Sequence, residues 1–414
     1  MNHLTTNCHS FTSMWKAGHF LGIWTIGLLF LMSCSSAESF TPSEADEAVQ
    51  VAAEQAEYML SLTPDTVLNP CTVRADGSVA YINPYDWRSG FFPGSLWYLY
   101  ALTGQDSWRS AAEPLTLSLD CVKSYTGNHD VGFMMGSSYG NALRFTGSKS
   151  QYGYGNGNKE WEDVLVATAR SLCARFVPEA GVIRSWGRIG DAPVTVIIDN
   201  MMNLELLFEA SRLSGDDTFS RIAITHADNT LANHFRPDGS SYHVLEYDAT
   251  DGHVISKHTH QGLSDESVWS RGQAWAIYGF TMMYRYTKEQ KYLDQALQTF
   301  SMMQHHANMP ADHVPYWDMD APGEERDASS AAIMASALYE MATYVKPSKG
   351  RELRSYAASI LHALSSADYR ASVGTNGGFL LKHSVGSKPG HSEVDVPLNY
   401  ADYYYLEAIW RSQQ

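Results

Sequence analysis

The sequence predicts an all-α fold, a closed (α/α)6 barrel, and three observations carry that prediction. Apolar residues recur at helical spacing in about twelve successive segments, near 44–63, 92–103, 107–124, 130–146, 158–177, 199–213, 216–234, 271–286, 289–307, 327–345, 350–366 and 397–412. Short joints repeat between them: Thr103-Gly104-Gln105-Asp106-Ser107-Trp108, Ser214-Gly215-Asp216-Asp217-Thr218-Phe219 and Thr287-Lys288-Glu289-Gln290-Lys291-Tyr292 each end one helix and open the next. Longer, sequence-rich loops separate these hairpins, which favours a ring with one decorated face over an open solenoid.

Composition sets the bounds. The 414 residues are 44% hydrophobic, enough for one large core, and no low-complexity tract or charge run breaks the chain after residue 45. The formal net charge of −16 argues against nucleic acid or an anionic membrane as general partners. A small anionic substrate remains compatible, because a site can be locally basic in an acidic protein.

Residues 1–33 read as a targeting segment: Lys16 is the one formal charge, and an apolar run from Phe20 to Met32 is too short to span a bilayer. The run ends in Leu31-Met32-Ser33-Cys34, which resembles a bacterial lipobox with Cys34 as the lipidated first residue of the mature chain. An ordinary signal peptide that happens to contain a cysteine is the alternative. Residues 34–43 then form a tether and 44–414 a single catalytic domain. The expected location is the bacterial envelope, periplasmic or at the surface, with membrane contact only through the lipid on Cys34. Cys71, Cys121 and Cys173 are an odd set, so no complete disulfide framework is expected. There is no CxxC or HExxH, and His253, His258 and His260 fit no ligand spacing, so no metal or cofactor is expected.

Along the chain, Gly104 and Gly215 are expected to terminate helices, with an acid capping the next one. Strand-like alternation is confined to Gly181–Trp186, Val194–Ile198 and Ser241–Tyr247. If inner and outer helices alternate, the inner set starts near 92, 130, 199, 271, 327 and 397. Trp87, Asp130, Asp199, Arg271, Trp275 and Asn399 cluster at those starts. Their free N–H groups and positive dipole ends would gather at one barrel mouth, which suits an anionic ligand.

Asp199 follows the apolar run Val194–Ile198, a setting that raises a carboxyl pKa and makes a proton donor. Asp130, in His129-Asp130-Val131-Gly132-Phe133, is a second acid at a helix start. Both read equally as plain N-caps. As a pair they would split into a donor and an ionised partner, the equipment of glycosidic bond cleavage. Gln261–Phe280 places Arg271, whose fork suits an anion, beside Trp269 and Trp275, whose faces suit a sugar ring; a capped core helix is the bland alternative. His243 follows the turn Arg236–Ser241 and reads as either a binding or a structural imidazole. Lys382–Gly390 is polar, basic and glycine-containing, so Ser384, Ser387 and Lys388 form a possible sulfate or carboxylate cradle, or else a solvated loop.

Taken together, DWRSGFFPGSLWYLY from Asp86, NHDVGF from Asn128, DNMMNLELLFEAS from Asp199, RPDGSSYH from Arg236, QGLSDESVWSRGQAWAIYGF from Gln261 and SEVDVPLNYADYYYLEA from Ser392 resemble the unsaturated glucuronyl hydrolases, glycoside hydrolase family 88. The resemblance runs in order across nearly the whole chain after the leader and implies an (α/α)6 barrel. It also implies a substrate, oligosaccharides whose non-reducing end is a 4,5-unsaturated uronic acid, and a reaction, hydration of the enol ether double bond rather than attack at the anomeric carbon. By resemblance, Asp199 is the general acid/base and Asp130 the second essential acid. Arg271 belongs to the carboxylate region and Trp275 to ring stacking, while Trp87, Trp186, His243 and Gln261 line the subsite. Thr259, Ser384 and Ser387 resemble positions facing the next sugar and its sulfate. The pattern departs at Pro389, where some members have Lys; here Lys388 precedes it, and Lys257 stands where a glycine contact is expected. Two alternatives remain at this point: an unsaturated rhamnogalacturonyl hydrolase acting on pectin fragments, and a surface glycan-binding lipoprotein without catalysis. Both acids within their motifs favour an enzyme, and the RPDGSSYH and SRGQAW blocks favour the glucuronyl type.

Overall fold

The computed structural model describes residues 39–63, 68–148 and 152–414, within a compact unit spanning Ala37–Gln414. The leader and residues 34–38 of the tether, Cys34 included, lie outside the described residues. The helices alternate between two layers. The outer layer holds α1 (Pro42–Leu62), α3 (Asp106–Leu117), α6 (Lys159–Cys173), α8 (Thr218–Asn233), α10 (Gln290–His305) and α12 (Pro347–Ser365). The inner layer holds α2 (Phe91–Thr103), α4 (Val131–Met135) continuing through a π turn into α5 (Asn141–Thr146), α7 (Leu204–Ser214), α9 (Ser270–Thr287), α11 (Ala328–Met341) and α13 (Asn399–Ser412).

The inner helices close on themselves: α2 touches α5, α4 touches α7, and the ring runs through α9, α11 and α13 back to α2. The expected (α/α)6 barrel is the observed architecture. Burial explains the layering. Every residue of α11 is buried, as is α9 from Ser270 to Met283, which is the pattern of helices surrounded by protein. In α11 the run of Ala and Ser lets neighbouring backbones approach closely. Outer helices such as α6 bury one side (Trp161, Val164, Leu165, Thr168 and Leu172 among others) and expose Lys159, Glu160, Asp163 and Arg170 on the other. Because an outer helix runs back between successive inner ones, all inner N-termini share one end.

The joints hold as expected at glycine: Gly104 (φ 70°) and Gly215 (φ 76°) end their helices in the left-handed region. The acids do less than expected. Asp106 lies in the first turn of α3 with Gln105 at the cap, and at α8 it is Asp216 that accepts from the Thr218 amide (2.9 Å), not the cap residue Asp217.

Strands decorate the mouth. The hairpin β1 (Asn69–Val73)–β2 (Val79–Ile82), the short pair β3 (Phe176–Val177)–β4 (Val182–Ile183), and the hairpin β8 (Ser384–Ser387)–β9 (Ser392–Val396) flank an antiparallel sheet of β5 (Val194–Ile197), β6 (Val244–Tyr247) and β7 (Val254–His258). The expected strands are trimmed: Ser185 meets β5 through its amide on the Thr195 carbonyl (2.8 Å) and through its Oγ, which accepts the Ile197 amide (3.0 Å), and Ile198 opens a 3₁₀ turn, Ile198–Asn203. The hairpins β1–β2 and β8–β9 and the strand β7 are additions to the sequence-based expectation.

Candidate active site

Strand register brings the site together. Ile197 pairs with Val244, and Val244 pairs with His258, so these three residues share one end of the β5–β6–β7 sheet. One or two residues beyond that edge lie Asp199 (after β5), His243 (before β6) and Thr259 (after β7). Asp130 reaches the same region from another element, at the N-cap of α4.

The two acids are mostly buried: their side chains are 13% (Asp199) and 12% (Asp130) exposed. Burial pushes the Asp199 carboxyl up from 3.8 to about 7; the charges of Arg271 and His129 pull it back, and that of Asp130 pushes it further up. Its Oδ1 is buried and has no protein hydrogen-bond partner. A second buried acid, Asp402, is also raised to about 7 by burial, but its two oxygens accept the Leu380 and Leu381 amides (2.9 Å each). Asp402 is an anchor for backbone. Asp199 has its oxygen free for chemistry.

His243 faces Asp199, with Nε2 4.0 Å from Oδ1. Its Nδ1 accepts the amides of His260 and Gln261 (3.2 Å each), so the proton of the neutral ring sits on Nε2. Burial, then the charges of His260 and Arg271, hold its pKa well below 6.5, which keeps the ring neutral. Trp269 packs over it at 4.3 Å and Trp186 meets it edge-on at 6.1 Å. Trp186 also contacts His260, and Trp87 sits half-buried against Phe91, Phe133 and Tyr400.

Two expectations about α9 need correction. Arg271 is buried, and its fork is turned to protein: Nη1 pairs with Asp327 (3.0 Å) and donates to the Val385 carbonyl, while Nη2 donates to the Gly386 carbonyl (2.6 Å). A bidentate clamp on a ligand is not what these donors form; the guanidinium pins the β8–β9 hairpin and supplies positive charge near Asp199. Gln261 joins it, with Nε2 on the Gly386 carbonyl (2.8 Å). Trp275 is fully buried against Phe133 (5.1 Å) and Tyr404 (5.4 Å), so it backs the wall rather than offering a face for stacking. Of the Trp residues singled out for sugar contact, Trp87 and Trp186 keep partial exposure.

The expected sulfate cradle is also altered. Lys388 pairs with both Glu324 (2.6 Å) and Glu325, which neutralises it. Ser384 is fully buried, Ser387 accepts the Gly390 amide (3.3 Å), and Thr259 Oγ1 accepts the Gly262 amide (2.8 Å). Lys257 donates to the Asn233 carbonyl, away from the acids. Arg88, held by Asp86 at 2.9 Å, reaches across to Glu393 on β9. The hairpin is therefore tied to the mouth by Arg271, Gln261, Lys388 and Arg88.

Sequence reasoning missed His129, which lies wholly buried beside Asp130, although its place next to that acid was a visible signal. It also missed Asp327, whose Oδ1 caps α11 (Ser329 amide, 3.0 Å) while Oδ2 holds Arg271. Arg175 was missed too: it ties the Thr126 carbonyl to those of Arg184, Ser185 and Gly187, binding together the two loops that carry Asp130 and Trp186.

This geometry agrees with what the chain resembles. It is 44% identical over 334 residues to an unsaturated glucuronyl hydrolase of Formosa agariphila, covering 79% of this chain and 80% of that one. It is 30% identical over 381 residues to an unsaturated chondroitin disaccharide hydrolase of Streptococcus pneumoniae, covering 90% and 92%. A crystal structure of an unsaturated glucuronyl hydrolase specific for heparin superposes with a TM-score of 0.84 at 44% identity, covering 89% of this chain and 96% of that one. No family model matches the chain.

Proposed function

The chain belongs to the unsaturated glucuronyl hydrolases, glycoside hydrolase family 88, and on that premise we propose that it removes a 4,5-unsaturated uronic acid from the non-reducing end of glycosaminoglycan-type oligosaccharides. The observation that carries the mechanism is Asp199: a carboxyl raised to about 7, with Oδ1 buried and unpartnered, beside a second acid. At neutral pH a substantial fraction of Asp199 is protonated, so it can donate where an ordinary carboxylate cannot.

Asp199 protonates C4 of the double bond, and positive charge develops at C5, stabilised by the ring oxygen. The same residue, now ionised, takes a proton from a water molecule as that water's oxygen bonds to C5. The resulting hemiketal opens, the bond to the neighbouring sugar breaks, and that sugar leaves with its oxygen protonated. Asp130 holds ring hydroxyls, and its negative charge keeps Asp199 protonated. Nε2–H of His243 is directed at Asp199 and at whatever group lies between them. Trp87 and Trp186 offer apolar faces to the sugar. Arg271 favours the anionic uronate by charge alone, through the hairpin that it holds.

We further propose an unsulfated or weakly sulfated second sugar, because Lys388 is neutralised by Glu324 and Glu325. Incubation with a panel of unsaturated heparin, chondroitin and pectin disaccharides tests the whole reading through loss of the ultraviolet absorbance of the double bond. Bleaching of the glycosaminoglycan members is expected. Bleaching of the pectin member alone would favour the rhamnogalacturonyl alternative, and none at all a glycan binder.

The lipobox-like Leu31-Met32-Ser33-Cys34 supports envelope attachment through a lipid on Cys34. Mass spectrometry of the mature amino terminus would show a diacylglyceryl cysteine; an unmodified terminus elsewhere would overturn it.

A further inference from the structure

The two acids stand on different elements, and one side chain joins those elements. Asp199 lies in the 3₁₀ turn Ile198–Asn203, and Asp130 is the N-cap of α4, its carbonyl accepting the Met134 amide (3.0 Å). The near end of the turn is fixed to strands: the Ile198 amide donates to the His243 carbonyl (3.0 Å), and Asn200 Nδ2 to the Ile183 carbonyl (2.8 Å). The far end is Asn203, wholly buried, whose Oδ1 accepts the amide of Phe133 in the first turn of α4 (2.9 Å). A backbone N–H only donates, so the amide oxygen is the atom that meets it; Nδ2 has no hydrogen-bond partner among the described residues. Beside this bond the two backbones touch. A Cβ on Gly132 would stand 2.6 Å from both Cα and Oδ1 of Asn203, closer than atoms can pack.

We infer that Asn203 is a positioning residue: by accepting the Phe133 amide it clamps α4 onto the turn and so sets the separation of Asp130 from Asp199. The Phe133 amide belongs to the open first turn of α4, where an N–H has no carbonyl partner within the helix. Without the Asn203 oxygen that donor is buried and unsatisfied, so α4 draws back towards water and carries Asp130 with it. Burial and, less strongly, the Asp130 charge push the Asp199 carboxyl up. A wider seam admits water and moves that charge away, so both pushes weaken together. The other charged or titratable groups facing Asp199 are Arg271 from α9, His243 from the sheet edge and His129 next to Asp130. The first two stand on elements that the seam leaves in place.

The kinetic consequence rests on the hydrolase reading, and a second readout is independent of turnover. Asn203→Leu removes the acceptor at similar size, Gly132→Ala wedges the same seam from the α4 side, and Asn203→Asp keeps an oxygen for the Phe133 amide. Gln55→Leu is the control, since it breaks a buried side-chain bond of the outer layer, from α1 to the Phe379 carbonyl (2.8 Å). On an unsaturated disaccharide, Asn203→Leu and Gly132→Ala should each lower kcat by about tenfold or more, with KM changed far less. Both should also move the alkaline limb of kcat/KM to lower pH. Asn203→Asp should keep kcat within about threefold of wild type, with that limb no lower. Carboxyl-carbon spectra of the unliganded, aspartate-labelled protein, assigned through Asp199→Asn, read the acid directly. Its midpoint near 7 should fall by about half a unit or more in Asn203→Leu and Gly132→Ala and stay in Gln55→Leu. Should Asn203→Leu not fold, Gly132→Ala carries the same test. An unmoved midpoint in the seam variants, an equal kcat loss in Gln55→Leu at matched Tm, or the full loss in Asn203→Asp would each overturn the assignment. An inactive wild type whose Asp199 midpoint still falls in the seam variants would instead count against the hydrolase reading.

Discussion

Replacing Asp199 by Asn should abolish turnover and stabilise the protein, two effects that rarely coincide outside an active site. The amide keeps the shape of the carboxyl but cannot deliver a proton, so kcat should fall on the order of a hundred- to ten-thousandfold. The stability effect follows from the same burial. Asp199 stands at about 7 in the folded protein against an ordinary 3.8, a difference of about 4 kcal/mol in favour of its protonated form. Between roughly pH 4 and 7 the unfolded chain has this carboxyl ionised while the folded protein keeps it protonated. Folding therefore takes up a proton, and stability declines as pH rises through that window. Above about pH 7 the full cost is present. The Asn variant lacks it, so its advantage over wild type should be near zero at pH 4, grow towards neutrality and then level off. About 4 kcal/mol is the ceiling, since an amide buried without partners carries its own cost. Asp402 carries a similar upward shift in both proteins and cancels in the difference. Thermal denaturation from pH 4 to 8, beside assays of substrate consumption, reads both arms. A variant with more than about a tenth of wild-type kcat would remove Asp199 from the acid/base role. A flat stability difference across pH would remove the buried, protonated carboxyl.

Other perturbations probe the surroundings. In wild type, kcat/KM should fall on the alkaline side with a midpoint near pH 7, because Asp199 must be protonated to donate; an unbroken plateau from pH 6 to 9 would contradict this. Arg271→Ala leaves Asp327 buried without its partner and frees the hairpin carbonyls, so it should cost about 3–5 kcal/mol and depress kcat/KM; a stability loss below about 1 kcal/mol would refute that anchoring role. Lys388→Ala should change stability by under about 1 kcal/mol and leave the ratio of rates on sulfated and unsulfated disaccharides unchanged. A selective loss on the sulfated substrate would show that Lys388 leaves its glutamates to meet sulfate.

The inner helices were legible because burial all round leaves continuous apolar and small-residue runs, as in α11, and because glycine marks the tight joints. The acids were legible through position, at inner-helix starts and after the strand Val194–Ile197. What escaped was whatever depends on partners distant in sequence. Strand β8 is a weak strand by composition, with Ser and Gly in its four residues, and it is held by Arg271 and Gln261, more than a hundred positions earlier. For the same reason Arg271 looked like a ligand clamp: the carbonyls of Val385 and Gly386 that occupy its fork leave no mark on the local sequence. Trp275 looked like a stacking platform because spacing places it on an inner helix without saying that Phe133 and Tyr404 enclose it. Lys388 looked basic until folding set Glu324 and Glu325 beside it.

The central claim is that the double bond, not the anomeric carbon, is attacked. The direct measurement follows ultraviolet absorbance of the unsaturated uronate and release of the neighbouring sugar in one reaction. Loss of one double bond for each sugar released is the predicted result. Sugar released with the double bond intact would contradict it.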